Sequence, residues 1–223
     1  MNNVFEFSDS EEGFDTHILN SIPGYSTLLE QTVVLTNHWL NDDNLPVIDI
    51  GGSTGKLLDV IQKRNEINVH NKFINVDPTK FDKQINNPLI NFVNNDAQDY
   101  LKTVDVPVQI FISMFTLQFL KKEDRKTVFQ QVADKISEDG AFFIAEKFYM
   151  ETSEYQELYS VVLRDIKREH FSDQSILDKD KKLLKHLKLK TEKEFLAELD
   201  MFGFKATKYW QSLHFNAFIC EKK

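Results

Sequence analysis

The feature of this chain best suited to chemistry is an aspartate two residues ahead of a glycine loop. Asp49-Ile50-Gly51-Gly52-Ser53-Thr54-Gly55 leaves the short apolar run Val47–Ile50 and enters a helical pattern. A phosphate-cradling loop needs two glycines five apart, then Lys and Ser or Thr. Here the residue five before Gly55 is Ile50, and Gly55-Lys56 is followed by Leu57. The G-x-G-x-x-G spacing of a dinucleotide loop is not met either. Asp49 would repel a pyrophosphate and attract an ammonium group.

Two more acids stand at comparable places. Asp77 lies 28 residues after Asp49 at the end of a second apolar run, where an acid can take two ribose hydroxyls. Asp96 follows a third run and is placed to approach an adenine amino group. Either acid alone reads as an ordinary turn or cap; three at successive strand ends read as a nucleoside site. S-adenosylmethionine (SAM) carries an ammonium, a carboxylate and a sulfonium and has no phosphate. Its carboxylate would use backbone N–H groups around Ser53 and Thr54, at the helix start that Gly55 opens.

The elements that must position these residues follow from apolar periodicity. Helices are expected over Phe14–Ser21, stopped by Pro23-Gly24, and from Tyr25 to Leu40. Strands are expected at Val47–Ile50, Lys72–Asp77, Leu89–Val93, Val108–Phe115 and Ala141–Phe148. Helices are expected from Gly55 to about Glu66 and over Lys121–Ile136, the latter ended by Gly140. Residues 151–190 read as a charged helical insertion with breaks near Phe171 and Lys190. Ala206–Trp210 and Leu213–Cys220 are too close for a parallel crossover, so they form a hairpin. The sum is one α/β domain over 1–223, with residues 1–44 as a helical cap and a mostly parallel sheet covered on both faces.

Composition sets limits. The chain has 223 residues, 41% hydrophobic, with 19 Phe, enough for an aromatic core. A net charge of -8 argues against a general nucleic-acid coat. The charge is uneven: residues 1–60 hold ten acids against Lys56 alone, and 167–193 hold nine Lys or Arg against five acids. The first fifteen residues carry Glu6, Asp9, Glu11, Glu12 and Asp15 without a base, unlike a signal peptide. No apolar run approaches the roughly 20 residues of a membrane span. A cytoplasmic protein without membrane contact is expected. The single Cys220 excludes a cysteine-built zinc site and reads as a small buried residue. Six scattered histidines form no metal cluster. His170, beside Lys167, Arg168 and Glu169, is the candidate general base or acceptor contact. The Lys/Leu stretch 179–190 reads as a packing helix or as a basic flap facing RNA or a second subunit.

Several longer strings resemble one family. Ser21-Ile22-Pro23-Gly24-Tyr25-Ser26, Phe115-Thr116-Leu117-Gln118-Phe119-Leu120, Ala145-Glu146-Lys147-Phe148, Lys167-Arg168, Phe171-Ser172, Gly203-Phe204 and Trp210 are similar to carboxy-S-adenosylmethionine (carboxy-SAM) synthase and its methyltransferase relatives. The resemblance covers nearly the whole chain. It implies a Rossmann-like class I SAM-dependent methyltransferase fold, with a seven-stranded sheet and an antiparallel last hairpin. It also implies that Tyr25, Gly51, Gly52, Ser53, Asp77 and Asp96 line the cofactor pocket and that the insertion makes a homodimer.

Three departures stand out: Gly52 replaces a Cys, Met114 replaces an Asn before the Phe-Thr-Leu-Gln-Phe-Leu string, and Asp180 replaces an Arg that pairs with the extra carboxylate of carboxy-SAM. A carboxylate facing a carboxylate is repulsive. SAM is therefore the expected cofactor ahead of carboxy-SAM. The expected activity is methyl transfer to a small-molecule or tRNA-nucleotide acceptor, with Tyr25 beside the sulfonium. The alternatives are carboxy-SAM synthesis from SAM and prephenate for tRNA wobble-uridine modification, and an idle SAM-binding regulatory partner.

Overall fold

A computed structural model describes residues 13–40, 45–64, 72–81 and 83–223. Residues 1–12 and 41–44 of the cap, the helix end at Glu66, and His70 lie outside the described residues. The chain opens with α1 (Phe14–Ser21) and α2 (Tyr25–Thr36), separated by Gly24 in the left-handed conformation. Then come β1 (Val47–Ile50), α3 (Lys56–Arg64), β2 (Phe73–Val76), β3 (Ile90–Val93), α4 (Ala97–Thr103), β4 (Val108–Met114), α5 (Lys122–Lys135) and β5 (Ile136–Tyr149). The insertion forms α6 (Ser153–Lys167) and α7 (Asp173–His186), followed by β6 (Lys190–Thr191), α8 (Glu192–Met201), β7 (Phe204–Ser212) and β8 (Phe215–Lys222).

The sheet runs β3-β2-β1-β4-β5-β8-β7, with β6 paired to β5 beside this path. From β3 to β5 the pairs are parallel; β8 is antiparallel to both β5 and β7. The seven expected strands and the closing hairpin are therefore present, and the two-residue β6 adds an eighth. Strand order reverses between β1 and β4, which opens a crevice beyond their carboxyl ends. β1 is buried at all four positions because helices cover both faces. Its alternate side chains divide accordingly. Ile48 and Ile50 join Phe111, Phe142 and Phe129 on the α5/α8 face, while Val47 joins Ile110, Phe143 and Leu58 on the α2/α3 face.

One boundary differs from expectation. Helix α5 stops at Lys135, and Ile136 already pairs with Val108. Gly140 is therefore not a helix stop but part of an irregularity in β5. A Cβ there would come within 2.8 Å of the Gln109 carbonyl oxygen, so only glycine fits.

Strand β5 is also bolted through charge. Arg125 of α5 donates to Glu146 through Nη1 at 2.5 Å and Nη2 at 2.9 Å, and through Nε to Glu198 of α8 at 2.9 Å. Lys190 of β6 holds the other Glu198 oxygen at 2.5 Å. Arg125 and Glu146 are both buried. Removing one partner leaves an uncompensated interior charge, so Arg125→Met should cost about 3–5 kcal/mol in urea unfolding. Lys63→Ala, which removes only an exposed lysine from the buried Asp59 and leaves Asn87 donating to that carboxylate, should cost about 1 kcal/mol at most.

Candidate active site

The glycine loop is shaped by three side chains that crowd it. A Cβ on Gly51, whose φ is 74°, would lie 2.3 Å from Thr116. A Cβ on Gly52 would lie 1.9 Å from Asn75 Oδ1 and 2.6 Å from Asp49 Oδ2. Asn75 in turn donates to the Ser53 carbonyl at 3.1 Å, locking the loop to β2. The Cys of the resembling synthases cannot stand at Gly52 in this arrangement. Gly55 has a packing role: its bare Cα faces the Phe92 ring, and it lines neither cavity described below.

Asp77 ties the loop from the other side. Its Oδ2 accepts from Ser53 N–H at 3.1 Å and its Oδ1 from Thr79 N–H at 2.8 Å. This corrects the expectation that the Ser53 N–H serves a ligand carboxylate, because Asp77 already takes it. Thr54 is engaged too, its hydroxyl donating to Asp15 of α1 at 2.9 Å. Burial raises the Asp77 pKa, partly offset by the two N–H donors. Asp96 is exposed at the start of α4 and its side chain makes no capping bond, which leaves it directed to the crevice.

Asp49 is the electrostatic oddity. It is 2% exposed, its Oδ1 has no hydrogen-bond partner, and burial, then Asp77, pushes its pKa up to about 8. A carboxylate in that place is at rest only when protonated or when a cation reaches it. Tyr25 sits 6.2 Å, ring to ring, from Phe115; burial and then Asp49 and Asp15 raise its pKa, so its hydroxyl stays protonated.

Two cavities meet here, of about 440 and 350 Å³. Both are lined by Gly51, Ser53 and Met114 and roofed by Phe14 and Ile18 of α1. The larger reaches Asp77 and Asp96; the smaller reaches Tyr25, Asp49 and Gly52. The structure thus brings together every sequence-derived cofactor residue except Gly55. His170 is not brought in: α6 ends at the buried Lys167, the turn residues Arg168 to His170 beyond it are all exposed, and His170 lines neither cavity. Burial keeps the Cys220 thiol protonated. Among the described residues no cluster of His, Cys or acids could hold a metal, and no helix is long and apolar enough to cross a membrane.

Sequence reasoning gave no site role to Gln118, Lys147 and Lys167, which line the larger cavity together with Lys179. Gln118 accepts from the Lys147 N–H at 2.8 Å and donates to the Phe115 carbonyl at 3.1 Å, with Phe115 held at φ 58°. Lys147 was legible in principle, being with Glu146 one of two charged residues inside the mostly apolar run 141–148. Asp180 is corrected as well. It does not line the cavity but lies 3.8 Å from Lys167 Nζ and 3.9 Å from Arg164 Nε.

This chain has the class I SAM-dependent methyltransferase fold, and the crevice lies where that fold places its ligand. No family model matches it. Over 93% of its length it is 27% identical to the carboxy-S-adenosyl-L-methionine synthase of Staphylococcus epidermidis, spanning 91% of that protein. It is 25% identical to the same-named protein of Nautilia profundicola, over 90% of this chain and 87% of that one. Among solved structures it resembles the mitomycin 7-O-methyltransferase MmcR, with TM-score 0.55 and 12% identity over 82% of this chain and 50% of that one. The pyocyanin biosynthetic protein PhzM gives TM-score 0.54 and 14% identity, over 82% and 52%. The chain spans about half the length of these solved structures, which show the fold alone.

Two outcomes follow from the loop. Gly52→Ala should destabilise the protein by about 1–3 kcal/mol, and Asn75→Ala in the same chain should restore part of the loss, read by thermal unfolding. Asp49 has a folded pKa of about 8 against an unfolded value of about 4. Its favourable share is therefore full below the unfolded pKa and is lost as pH rises towards 8. The ligand-free protein should lose stability across that window relative to Asp49→Asn, measured as the difference in melting temperature.

Proposed function

We propose that the chain is an enzyme that holds SAM across the two cavities and passes a one-carbon group to an acceptor in the larger one. The observation that carries this reading is the buried, unpartnered Asp49 oxygen under a loop too tight for any side chain at Gly51 or Gly52. Such a place suits an ammonium and rejects a polyphosphate. The residues fit the cofactor. Asp49 would receive the ammonium, with the Tyr25 hydroxyl beside it. Asp77, immobilised by two N–H donors, and Asp96 would take the ribose hydroxyls and the adenine amine. When bound, SAM supplies an electrophilic carbon on a sulfonium. The chain's part is positional: Met114, Phe115 and the α1 roof narrow the crevice, exclude water and align an in-line displacement.

A second reading, carboxy-SAM formation, is favoured by one feature. Asp180 does not itself line the cavity and lies against Arg164 and Lys167, so its charge is partly met by bases rather than set bare against a ligand carboxylate as the sequence implied. The names of the relatives point the same way. A tRNA nucleotide as acceptor, a homodimer through α6 and α7, and a cytoplasmic setting belong to the proposal as well. The idle regulatory-partner reading has no structural feature in its favour.

Calorimetry should show saturable binding of SAM and S-adenosylhomocysteine and none of NAD or ATP. Asp77→Ala should weaken S-adenosylhomocysteine by about tenfold or more, through lost charge-assisted hydrogen bonds. Tight NAD or ATP binding without S-adenosylhomocysteine binding would overturn the reading. Mass spectrometry of ligand retained on purification separates SAM from carboxy-SAM.

A further inference from the structure

The smaller cavity ends on a carboxyl group that the protein does not balance. Asp49 lines it, its Oδ1 meets no donor, and among the described residues no base pairs with it. The groups that face it from the neighbouring elements are acidic or neutral. Asp77 of β2 and the Tyr25 hydroxyl of α2 interact with it, and Asp15 of α1 lies beyond Tyr25. Asn75, its register partner on β2, offers an oxygen and not an N–H. Asn75 Nδ2 is committed to the Ser53 carbonyl, so Oδ1, itself without a donor, is the end turned towards Gly52 and Asp49 Oδ2. Lys56 and Arg64 of α3 and Glu30 of α2 line the same cavity, but all three are exposed at its mouth.

We infer that binding of an amine head group in the smaller cavity expels one proton from Asp49, so that the site exchanges a proton for an ammonium and is neutral in both states. The inference deepens the proposed function and rests on it for taking the amine to be that of the methionine arm of SAM. Two other roles for Asp49 fit less well. A permanently ionised Asp49 would be an interior carboxylate beside a second acid and an amide oxygen, which is far costlier than keeping the proton. An acid kept only to brace the strand would bond to its neighbours, and Oδ1 bonds to none. The titration of the group agrees with the geometry: burial, then Asp77, pushes its pKa up to about 8. Asp77 is a poorer keeper of the proton, because the N–H groups of Thr79 and Ser53 favour its ionised form.

The exchange has a direction. Below the Asp49 pKa the empty site holds the proton, and an arriving ammonium must displace it, so affinity rises with pH. Above that pKa the carboxylate is already ionised, and the dependence flattens. A ligand with the same nucleoside but no amine leaves the proton in place. Proton changes at Asp77 or Asp96, which face the nucleoside end, would accompany both kinds of ligand and cancel in the comparison.

The test is calorimetry of S-adenosylhomocysteine at pH 6.5, in two buffers of different ionisation heat, with methylthioadenosine as the ligand that lacks the amino-acid arm. S-adenosylhomocysteine should release about one proton more than methylthioadenosine, and its affinity should rise about tenfold from pH 6 to pH 7. Asp49→Asn fixes the neutral form. It should weaken S-adenosylhomocysteine by about tenfold or more at pH 8 and abolish both the extra proton and the pH dependence. Its methylthioadenosine affinity, kept at the wild-type value, is the check on folding. Should that variant not fold, the wild-type pH profile decides alone. An S-adenosylhomocysteine affinity that stays flat from pH 6 to pH 8, or an extra proton still released by Asp49→Asn, overturns the inference. Failure of S-adenosylhomocysteine to bind at any pH sinks the proposed function instead, so the two failures are distinguishable.

Discussion

Everything in the crevice depends on a carboxylate that the fold does not neutralise. Asp49 stands next to last in the fully buried strand β1, beneath a loop whose glycines admit no side chain, and one of its oxygens meets no donor. Burial of that kind disfavours ionisation in the ligand-free chain, yet it keeps at one fixed place a carboxyl group that an arriving cation would ionise. The neighbouring contacts are all devices for keeping it there. Asn75 pins the Ser53 carbonyl, Asp77 pins the Ser53 N–H, and Asp15 of α1 ties down Thr54. The loop is thus rigid before any ligand arrives, which is what preorganised recognition of a small cation requires.

The opposite pole rests on a different strand but on the same logic. Along β5, Glu146 and Lys147 point to opposite faces, as pleating demands. Glu146 goes into the core, where Arg125 pairs it bidentately and Glu198 completes the set; Lys147 goes to the cavity. The ion-paired side makes the strand immovable, so the lysine on its other side is presented without slack. Gln118 binds the strand backbone and the strained Phe115 carbonyl together, which joins this pole to the end of β4. Asp77 and Asp96, at the ends of β2 and β3, and Lys147 on β5 are therefore mounted on one sheet, with β1 and β4 between them.

The departures from the resembling synthases acquire physical meaning in this setting. Gly52 is required because Asn75 fills the room that a cysteine side chain would need. Met114 stands at the junction of the two cavities, where an apolar, pliant side chain replaces an amide. Asp180, which the resemblance sets where an Arg would stand, lies against Arg164 and Lys167 and lines neither cavity, whereas Lys147, Lys167 and Lys179 line the larger one.

How much of this was legible follows from the range of the interactions. Alternation of apolar runs with helical patterns, the interval of 28 residues between Asp49 and Asp77, and the short link between the last two strands are local, so the sheet, its hairpin and the acidic end of the crevice could be read from the chain. His170 was misjudged because a histidine among charges looks the same in sequence whether its turn faces the cavity or solvent. The lysine cluster was not legible as a cluster, since Lys147, Lys167 and Lys179 belong to a strand and two helices whose meeting depends on packing. The same holds for the direction of Asp180 and for the Ser53 N–H that Asp77 claims. Sequence alone determined the backbone pattern and the charge at each strand end, because pleat and helix periods act between near neighbours. Tertiary structure alone decided which distant charges share a cavity, because that is fixed by how whole helices dock on the sheet.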